Sequence, residues 1–297
     1  MTMTKGRART ARLMATAGML AISTMLSAGV SMAQDVAVVP ALHDAVPEEY
    51  KAAGIKVAAF NDWPPDEFME DGVLKGWSID MANAMSAKLG VPFTIEGTSF
   101  DVIIPGLASG RYDAGFSSFG VTEERLAALD FIPQRLEGTA YASLASKPVA
   151  IATEADLCGH SVAVLTGAWD FQYLTDVSAQ TCADNPIDLQ QFTTQNAAEL
   201  AVSSGRVELV AAGSAKLLYM ANQTGTFAVS EFTAGAVYNG IGVPKGDPIG
   251  PLLRDALQSM MDDGSYQAIM EKWGVAQNGM LDEALLVTAE NYVPEAE

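Results

Sequence analysis

The sequence predicts an α/β protein of two similar lobes, each built on a mostly parallel, doubly wound sheet. Short apolar strands and amphipathic helices alternate from about residue 54, an order typical of parallel sheets. A similar succession returns in the second half of the chain. The 297 residues, of which 49% are hydrophobic and 18% charged, are enough for two ordinary cores.

The first lobe is predicted element by element. Lys56–Phe60 (KVAAF) has the composition of a short buried strand. Ser78 is a candidate N-cap for a helix that runs to Leu89 and ends at Gly90. A second strand over 93–96, a helix over 101–109 and a third strand over 112–116 complete a βαβαβ succession.

The second lobe is predicted from two internal echoes. LASGRYDAGFSS at 107–118 resembles AVSSGRVELVAAGS at 201–214, and KVAAF at 56–60 resembles SVAVL at 161–165. Each member of the first pair carries Ser-Gly-Arg between a helix and a strand. Similar segments at similar spacing indicate two related lobes rather than a repeat array, the second beginning near residue 145.

The N-terminal segment has the pattern of a secretory signal peptide. Four basic residues within the first dozen precede an apolar stretch over 13–30, which is followed by Ser31-Met32-Ala33. We predict a signal peptide over 1–33, cleaved after Ala33, and a periplasmic product. The alternative is an N-terminal membrane anchor, for which the stretch is short and rich in Ser and Gly.

Charge and cysteine content narrow the class further. The chain has 17 basic and 36 acidic residues, a net charge of -19, which argues against nucleic acid as a partner. In an oxidising compartment Cys158 and Cys182 are expected to form a disulfide that contributes roughly 3 kcal/mol; the alternative is two buried thiols. His43 and His160 belong to no cluster with ligand spacing, so we expect no metal and no cofactor.

Ligands of open α/β sheets bind beyond the carboxyl ends of the strands. That rule selects four short segments, 60–63, 117–120, 166–170 and 212–214. Two lobes that face each other across a cleft would bring all four together.

A candidate anion site follows one of these segments. Thr122 can cap a short helix whose first turn contains Arg125. Backbone N–H groups at a helix start and a guanidinium both suit a carboxylate. The alternative is a surface arginine paired with Glu123 or Glu124.

Aromatic residues accompany the same segments. The five are Phe60, Trp63, Phe100, Phe119 and Trp169. Their rings could enclose a flat group or a cation of the ligand. The alternative is that some belong to the core, and for Phe60 the two interpretations have equal weight. The sequence has no nucleophile elbow, P-loop or dinucleotide fingerprint, and nothing in it requires an enzyme.

Several segments carry a family resemblance. KGWSIDMANAMSAKLGV (75–91), FDVIIPGLASGRYDAGFSSFGVTEERLAALDF (100–131), GIGVPKGDP (240–248) and GSYQAIMEKWGV (264–275) resemble the family 3 solute-binding proteins of ABC importers for polar amino acids. The resemblance implies the type II periplasmic-binding-protein fold, with the ligand trapped between two lobes joined by two strands. It places lobe 1 at 34–142 and 239–297, and lobe 2 at 143–238.

The resemblance also implies roles for individual residues. Arg125, after Thr122, matches the arginine that binds the ligand carboxylate, and Ser117, Ser118 and Gly120 match its hydroxyl and N–H donors. Trp63 and Phe100 match aromatic rings that sandwich the ligand. The remaining candidates for binding are Phe60, Phe119, Trp169 and Asp170.

Two departures from the family pattern concern the ligand's ammonium group. Phe60 and Gly213 stand where amino-acid binders usually have acids, although Asp170 could supply one such partner. The aromatic residues around Arg125 resemble the box of ectoine-type binders. We therefore expect glycine betaine-like or ectoine-like solutes to bind better than lysine or arginine.

The predicted function is that of the extracytoplasmic solute-binding component of an ABC importer. Its partners would be a small carboxylate-bearing nitrogen compound and a membrane permease, and we expect a monomer. One alternative is a cyclohexadienyl or arogenate dehydratase-like enzyme on the same fold; another is a non-transport partner protein without a ligand. The tail over 279–297 shows helical spacing of Leu281, Leu285 and Ala289 and is expected to pack on lobe 1.

Overall fold

A computed structural model describes residues 37–276 and 279–293, together with Thr2. The chain divides into two units, Met1–Asp35 and Val36–Glu297, and the elements given below belong to the second. The predicted signal peptide and its cleavage site lie outside the described residues. Within the described part of the chain, no helix is both long enough and apolar enough to cross a membrane.

The first half of the second unit alternates strands and helices as predicted. Its elements in chain order are α1 (Pro40–Ala45), α2 (Glu48–Ala53), β1 (Ile55–Phe60), β2 (Asp62–Trp63), β3 (Glu67–Glu70), β4 (Val73–Lys75), α3 (Trp77–Leu89), β5 (Phe93–Thr98), α4 (Ile103–Ala108), β6 (Ala114–Gly120) and α5 (Glu123–Leu126). The helix predicted over 101–109 starts as a 3₁₀ turn over Phe100–Val102.

Ser78 is not the cap of α3. The helix begins at Trp77, and Gly76 occupies the N-cap position with φ 133°. A Cβ at Gly76 would lie 1.9 Å from the carbonyl oxygen of Asp66. Glycine is therefore required there by both its backbone angle and the close approach of the neighbouring chain.

The second half continues the alternation. Its elements are β7 (Leu129–Leu144), β8 (Ser161–Leu165), α6 (Trp169–Gln180), β9 (Asp188–Phe192), α7 (Gln195–Ser203), β10 (Leu209–Gly213), α8 (Ser214–Thr224), β11 (Phe227–Val229), β12 (Ala234–Pro244), α9 (Ile249–Asp262) and α10 (Ser265–Lys272). The predicted disulfide between Cys158 and Cys182 is present. It links the segment before β8 to the residues after α6.

Two sets of parallel strands are joined by two long antiparallel ones. The order in the large sheet is β5-β1-β6-β12-β7-β10-β8-β9, with β11 added on β7, and β2-β3-β4 form a small separate sheet. β1 is parallel to β5 and β6, and β8 is parallel to β9 and β10. β7 and β12 pair with each other and with one edge of each parallel set, so they connect the two halves.

The register brings the ends of both parallel sets to one place. Gly120, the last residue of β6, lies opposite Asn239, and Asn239 lies opposite Arg135. Gly213, the last residue of β10, lies opposite Thr139. The carboxyl ends of both sets therefore converge over residues 135–139 of β7.

The C-terminal tail packs on the first half, but not as a helix. Val287 exchanges two backbone hydrogen bonds with Phe131, at 2.9 and 2.8 Å. Leu285 and Leu286 pack against buried clusters on either side of this bridge. The helical spacing predicted the contact with this part of the protein correctly and the secondary structure wrongly.

Candidate functional site

A cavity lies where the strand ends converge, with about 480 Å³ of free space when the open solvent at its mouth is included. Nine of the ten residues selected from the sequence line it: Phe60, Trp63, Phe100, Ser117, Ser118, Gly120, Arg125, Trp169 and Asp170.

Phe119 is the exception, because its ring belongs to the core. The side chain is fully buried, and its ring centroid lies 5.4 Å from that of Phe100. The ring occupies space left by two glycines: a Cβ at Gly115 would come within 2.9 Å of it, and one at Gly242 within 3.4 Å. Phe119 therefore supports the cavity wall from behind.

Arg125 is held in place by backbone carbonyl groups. Its Nη1 donates to Gly120 O at 2.6 Å and its Nη2 to Gly167 O at 2.8 Å. Gly120 ends β6 and Gly167 follows β8, so the two acceptors belong to the two different parallel sets. Burial lowers the pKa of Arg125 to about 10, so the guanidinium is charged at neutral pH and can bind a carboxylate.

The predicted cap of the helix before Arg125 is present. Thr122 Oγ1 accepts a hydrogen bond from the backbone N–H of Arg125 at 3.3 Å. The helix α5 is only four residues long, so we assign the attraction for an anion to the Arg125 side chain rather than to the helix start.

Aromatic rings form one side of the cavity. The ring centroid of Phe60 lies 6.2 Å from that of Trp63 and 5.6 Å from that of Phe100. The Cζ atom of Arg125 lies 5.7 Å from the Phe100 centroid. Trp169, on α6, stacks on Tyr173 at 5.0 Å.

The two predicted serines differ in their partners. Ser117 Oγ accepts from the Phe60 backbone N–H at 2.9 Å. Ser118, which has a positive φ of 44°, donates its hydroxyl to Asp66 Oδ2 at 2.7 Å. Asp66 and Glu67 are completely buried behind this loop. Burial raises the pKa of Asp66 to about 7, with a further contribution from the charge of Glu137.

One acid that lines the cavity was not predicted from the sequence. Glu137, on β7, lines it together with Thr139, Gly213 and Asn239. A Cβ at Gly213 would lie 2.8 Å from the Cδ and Oε2 atoms of Glu137. The expectation that the Gly213 region lacks an acid is therefore wrong, because a carboxylate from a different strand occupies the space beside the glycine.

Asp170 provides a second carboxyl group. Its Oδ1 accepts a hydrogen bond from Thr139 Oγ1 at 2.5 Å. Burial raises the pKa of Asp170 to about 6, so this group is mostly ionised at neutral pH. The cavity thus combines one guanidinium, two carboxyl groups and a wall of aromatic rings, which is suited to a small molecule carrying charges of both signs.

Comparison with known proteins supports one family. The sequence model of the bacterial extracellular solute-binding proteins, family 3, matches residues 55–276. The arginine-binding protein ArgT of Corynebacterium glutamicum is 32% identical over 254 residues, which cover 84% of this chain and 83% of that protein.

Solved structures agree with this match. An ancestral arginine-binding protein bound to arginine superposes with a TM-score of 0.68 at 31% identity, covering 74% of this chain and 97% of that one. The ancestral amino acid-binding protein AncCDT-1, a precursor of cyclohexadienyl dehydratase, gives a TM-score of 0.69 at 28% identity, covering 76% and 98%. Both comparisons extend over most of the described chain.

Proposed function

The chain belongs to the bacterial extracellular solute-binding proteins, family 3, and from this premise we propose that it captures a small carboxylate-bearing nitrogen compound, an amino acid or a derivative, for an ABC importer. The observation that carries the proposal is the position of Arg125. Its guanidinium is charged, held by two backbone carbonyls and exposed to an aromatic-walled cavity. A ligand carboxylate would find its charged partner there.

The ligand is captured by closure of two lobes. We assign lobe 1 to residues 34–142 and 239–297 and lobe 2 to 143–238, with β7 and β12 as the connection. Arg125 of lobe 1 donates to Gly167 of lobe 2, so the carboxylate site is complete only when the lobes are together. Contacts that exist only in the closed form shift the population toward it when a ligand binds.

The protein works outside the cytoplasm. The basic and apolar segment over 1–33 supports export to the periplasm with cleavage after Ala33. There the loaded monomer would deliver its ligand to a membrane permease. The disulfide between Cys158 and Cys182 agrees with an oxidising compartment.

Calorimetry on a small panel tests the proposal. The panel contains L-arginine, L-glutamine, L-cystine, ectoine and glycine betaine, titrated into wild type, Arg125→Ala and a control, Arg111→Ala. Arg111 is an exposed arginine whose guanidinium pairs with Glu96 at 2.7 Å. Removing one partner of a desolvated charge pair costs about 2–5 kcal/mol of binding free energy. We expect that loss for Arg125→Ala alone; equal affinity in all three proteins would place the carboxylate elsewhere.

A second candidate, catalysis, is favoured by two observations. AncCDT-1 is a precursor of cyclohexadienyl dehydratase, and Glu137 supplies a buried carboxyl group beside Gly213, where the sequence alone suggested none. Incubation with prephenate or arogenate tests this alternative. Formation of the aromatic product at a rate abolished by Glu137→Gln would support an enzyme, and binding of either acid without turnover would support the receptor.

A further inference from the structure

We propose that Glu137 binds the cationic nitrogen of the ligand by accepting its N–H groups, so that the site selects amines, amidines and guanidines over quaternary ammonium compounds. This inference deepens the proposed function and rests on it. It assigns the nitrogen end of the ligand to a residue of a connecting strand.

The carboxylate of Glu137 and a side chain at position 213 would occupy the same space. The Cδ and Oε2 atoms of Glu137 lie where a side chain at position 213 would begin, 2.8 Å from an ideal Cβ. The carboxylate can therefore reach the cavity only because position 213 has no side chain. Because position 213 is glycine, the carboxyl group at this place in the cavity comes from β7 and not from the end of β10.

The carboxylate of Glu137 is held firmly. Its Oε1 accepts from the Ala215 backbone N–H at 2.7 Å and from Ser214 Oγ at 3.4 Å, at the start of α8. Its Oε2 accepts from Asn239 Nδ2 at 3.3 Å. Arg135 lies 3.8 Å away on the same strand. The three hydrogen bonds fix the orientation of the carboxyl group.

Glu137 retains capacity for a ligand. A carboxylate offers about four acceptor positions, and the hydrogen bonds to described residues given above use three. Oε2 accepts one bond, from Asn239, and Glu137 and Asn239 both line the cavity. An N–H group of the ligand can therefore add to Oε2 without displacing an internal partner.

The chemistry of the acceptor determines the selectivity. Aromatic rings attract any cation, including a quaternary one. A carboxylate oxygen gains a charge-assisted hydrogen bond only from a nitrogen that carries hydrogen. Glycine betaine has none on its nitrogen, whereas amino acids and ectoine do. The expectation that betaines bind best assumed a cavity with few acids. Because Glu137 is an acid in the cavity, the opposite preference follows.

The test measures affinities for amino acids and for their α-N,N,N-trimethyl betaines. Wild type, Glu137→Gln, Gly213→Ala and a control, Glu96→Gln, are titrated with L-arginine, L-glutamine and the corresponding betaines, and with ectoine and glycine betaine. Glu96 is a half-exposed acid paired with Arg111. Glutamine keeps the size of Glu137, so the variant is expected to fold.

We expect wild type to prefer the ammonium form over the betaine of the same amino acid. Glu137→Gln should lose about 10- to 150-fold in affinity for the ammonium form, as for one charge-assisted hydrogen bond, and change little for the betaine. Gly213→Ala should cause a similar loss by displacing the carboxylate. A carboxylate that merely caps α8 would leave the ratio between the two forms unchanged.

Failure of the inference can be told from failure of the proposed function. If betaines bind wild type as well as ammonium forms do, or if Glu137→Gln weakens both equally, the inference is wrong and the receptor function stands. If no compound of the panel binds wild type, both are wrong. In the double variant Glu137→Ala/Gly213→Asp, recovery of the preference for the ammonium form would show that the two positions exchange one role.

Discussion

One contact between the two proposed lobes lies outside the cavity. Asp62, in β2, accepts a hydrogen bond from the backbone N–H of Asn196 at 3.0 Å and a second from the side-chain Nδ2 of the same residue. Asn196 lies in the first turn of α7, after the N-cap Thr194. With the lobe assignment proposed above, these bonds join lobe 1 to lobe 2 and exist only when the lobes are together.

The size of the effect follows from the contacts. A hydrogen bond to a charged group contributes about 1.5–3 kcal/mol. Burial, which raises the pKa of Asp62, indicates a desolvation cost that offsets part of this, so we take the lower value. Asp62→Asn removes one good acceptor and should weaken ligand binding about tenfold, and Asp62→Ala removes two and should weaken it about 150-fold.

Calorimetry with whichever ligand of the panel binds wild type measures this effect. Small-angle scattering with saturating ligand should show a smaller radius of gyration than without it. The variants should need more ligand to reach that radius. Asp188→Asn is the matched control, because Asp188 is an exposed acid of β9 whose side chain accepts from Gln190.

Two results would contradict this prediction. Unchanged affinity in both Asp62 variants would mean that the contact adds nothing to closure. An unchanged radius of gyration at saturating ligand would remove lobe closure itself, whatever the affinities.

Two further predictions concern protonation and the disulfide. Binding of a cationic ligand should weaken as the pH falls through about 6, the pKa to which burial raises Asp170. The ligand's positive charge favours the ionised carboxyl group, so protonation of Asp170 competes with binding. The affinity at pH 5 should therefore be about tenfold below its value at neutral pH. Asp170→Asn should lose this pH dependence in titrations, and a wild-type affinity that is flat between pH 5 and 8 would contradict the assignment. Replacing Cys158 and Cys182, 24 positions apart, with Ser should reduce the free energy of unfolding by about 3.5 kcal/mol in the chain-entropy model, measured by urea denaturation. Labelling of both thiols in native wild-type protein would show that the bond is absent.

Local patterns in the sequence predicted most of the fold. The strand at 56–60, the helix ending at Leu89 and the Thr122 cap follow from residue spacing and from glycine at a helix end. The start of α3 was misplaced because Ser78 has the right chemistry for a cap. What decides the start is instead the approach of the Asp66 carbonyl to Gly76, a tertiary contact that no local pattern contains.

Residues of the candidate site that lie at or just after strand ends could be selected from the sequence. Phe60, Ser117, Gly120 and Trp169 follow from the rule that ligands bind beyond the carboxyl ends of parallel strands. Phe119 also lies near the end of its strand, but its ring does not line the cavity. Glycines at 115 and 242 leave a space in the core that its ring occupies. Whether an aromatic ring at a strand end turns inward depends on neighbours that are distant in sequence.

Glu137 was missed because it is not at a strand end, yet its own strand carried a signal. Arg135, Glu137 and Thr139 alternate along β7 and therefore share one face, and all three are buried. Successive polar residues on a buried face of a strand are uncommon, because each costs desolvation energy unless it is paired. Polar residues at every second position of a buried connecting strand therefore indicate a face that contacts polar partners. Here those partners are Asp170, Asn239 and the start of α8, around the cavity where the ligand nitrogen is proposed to bind.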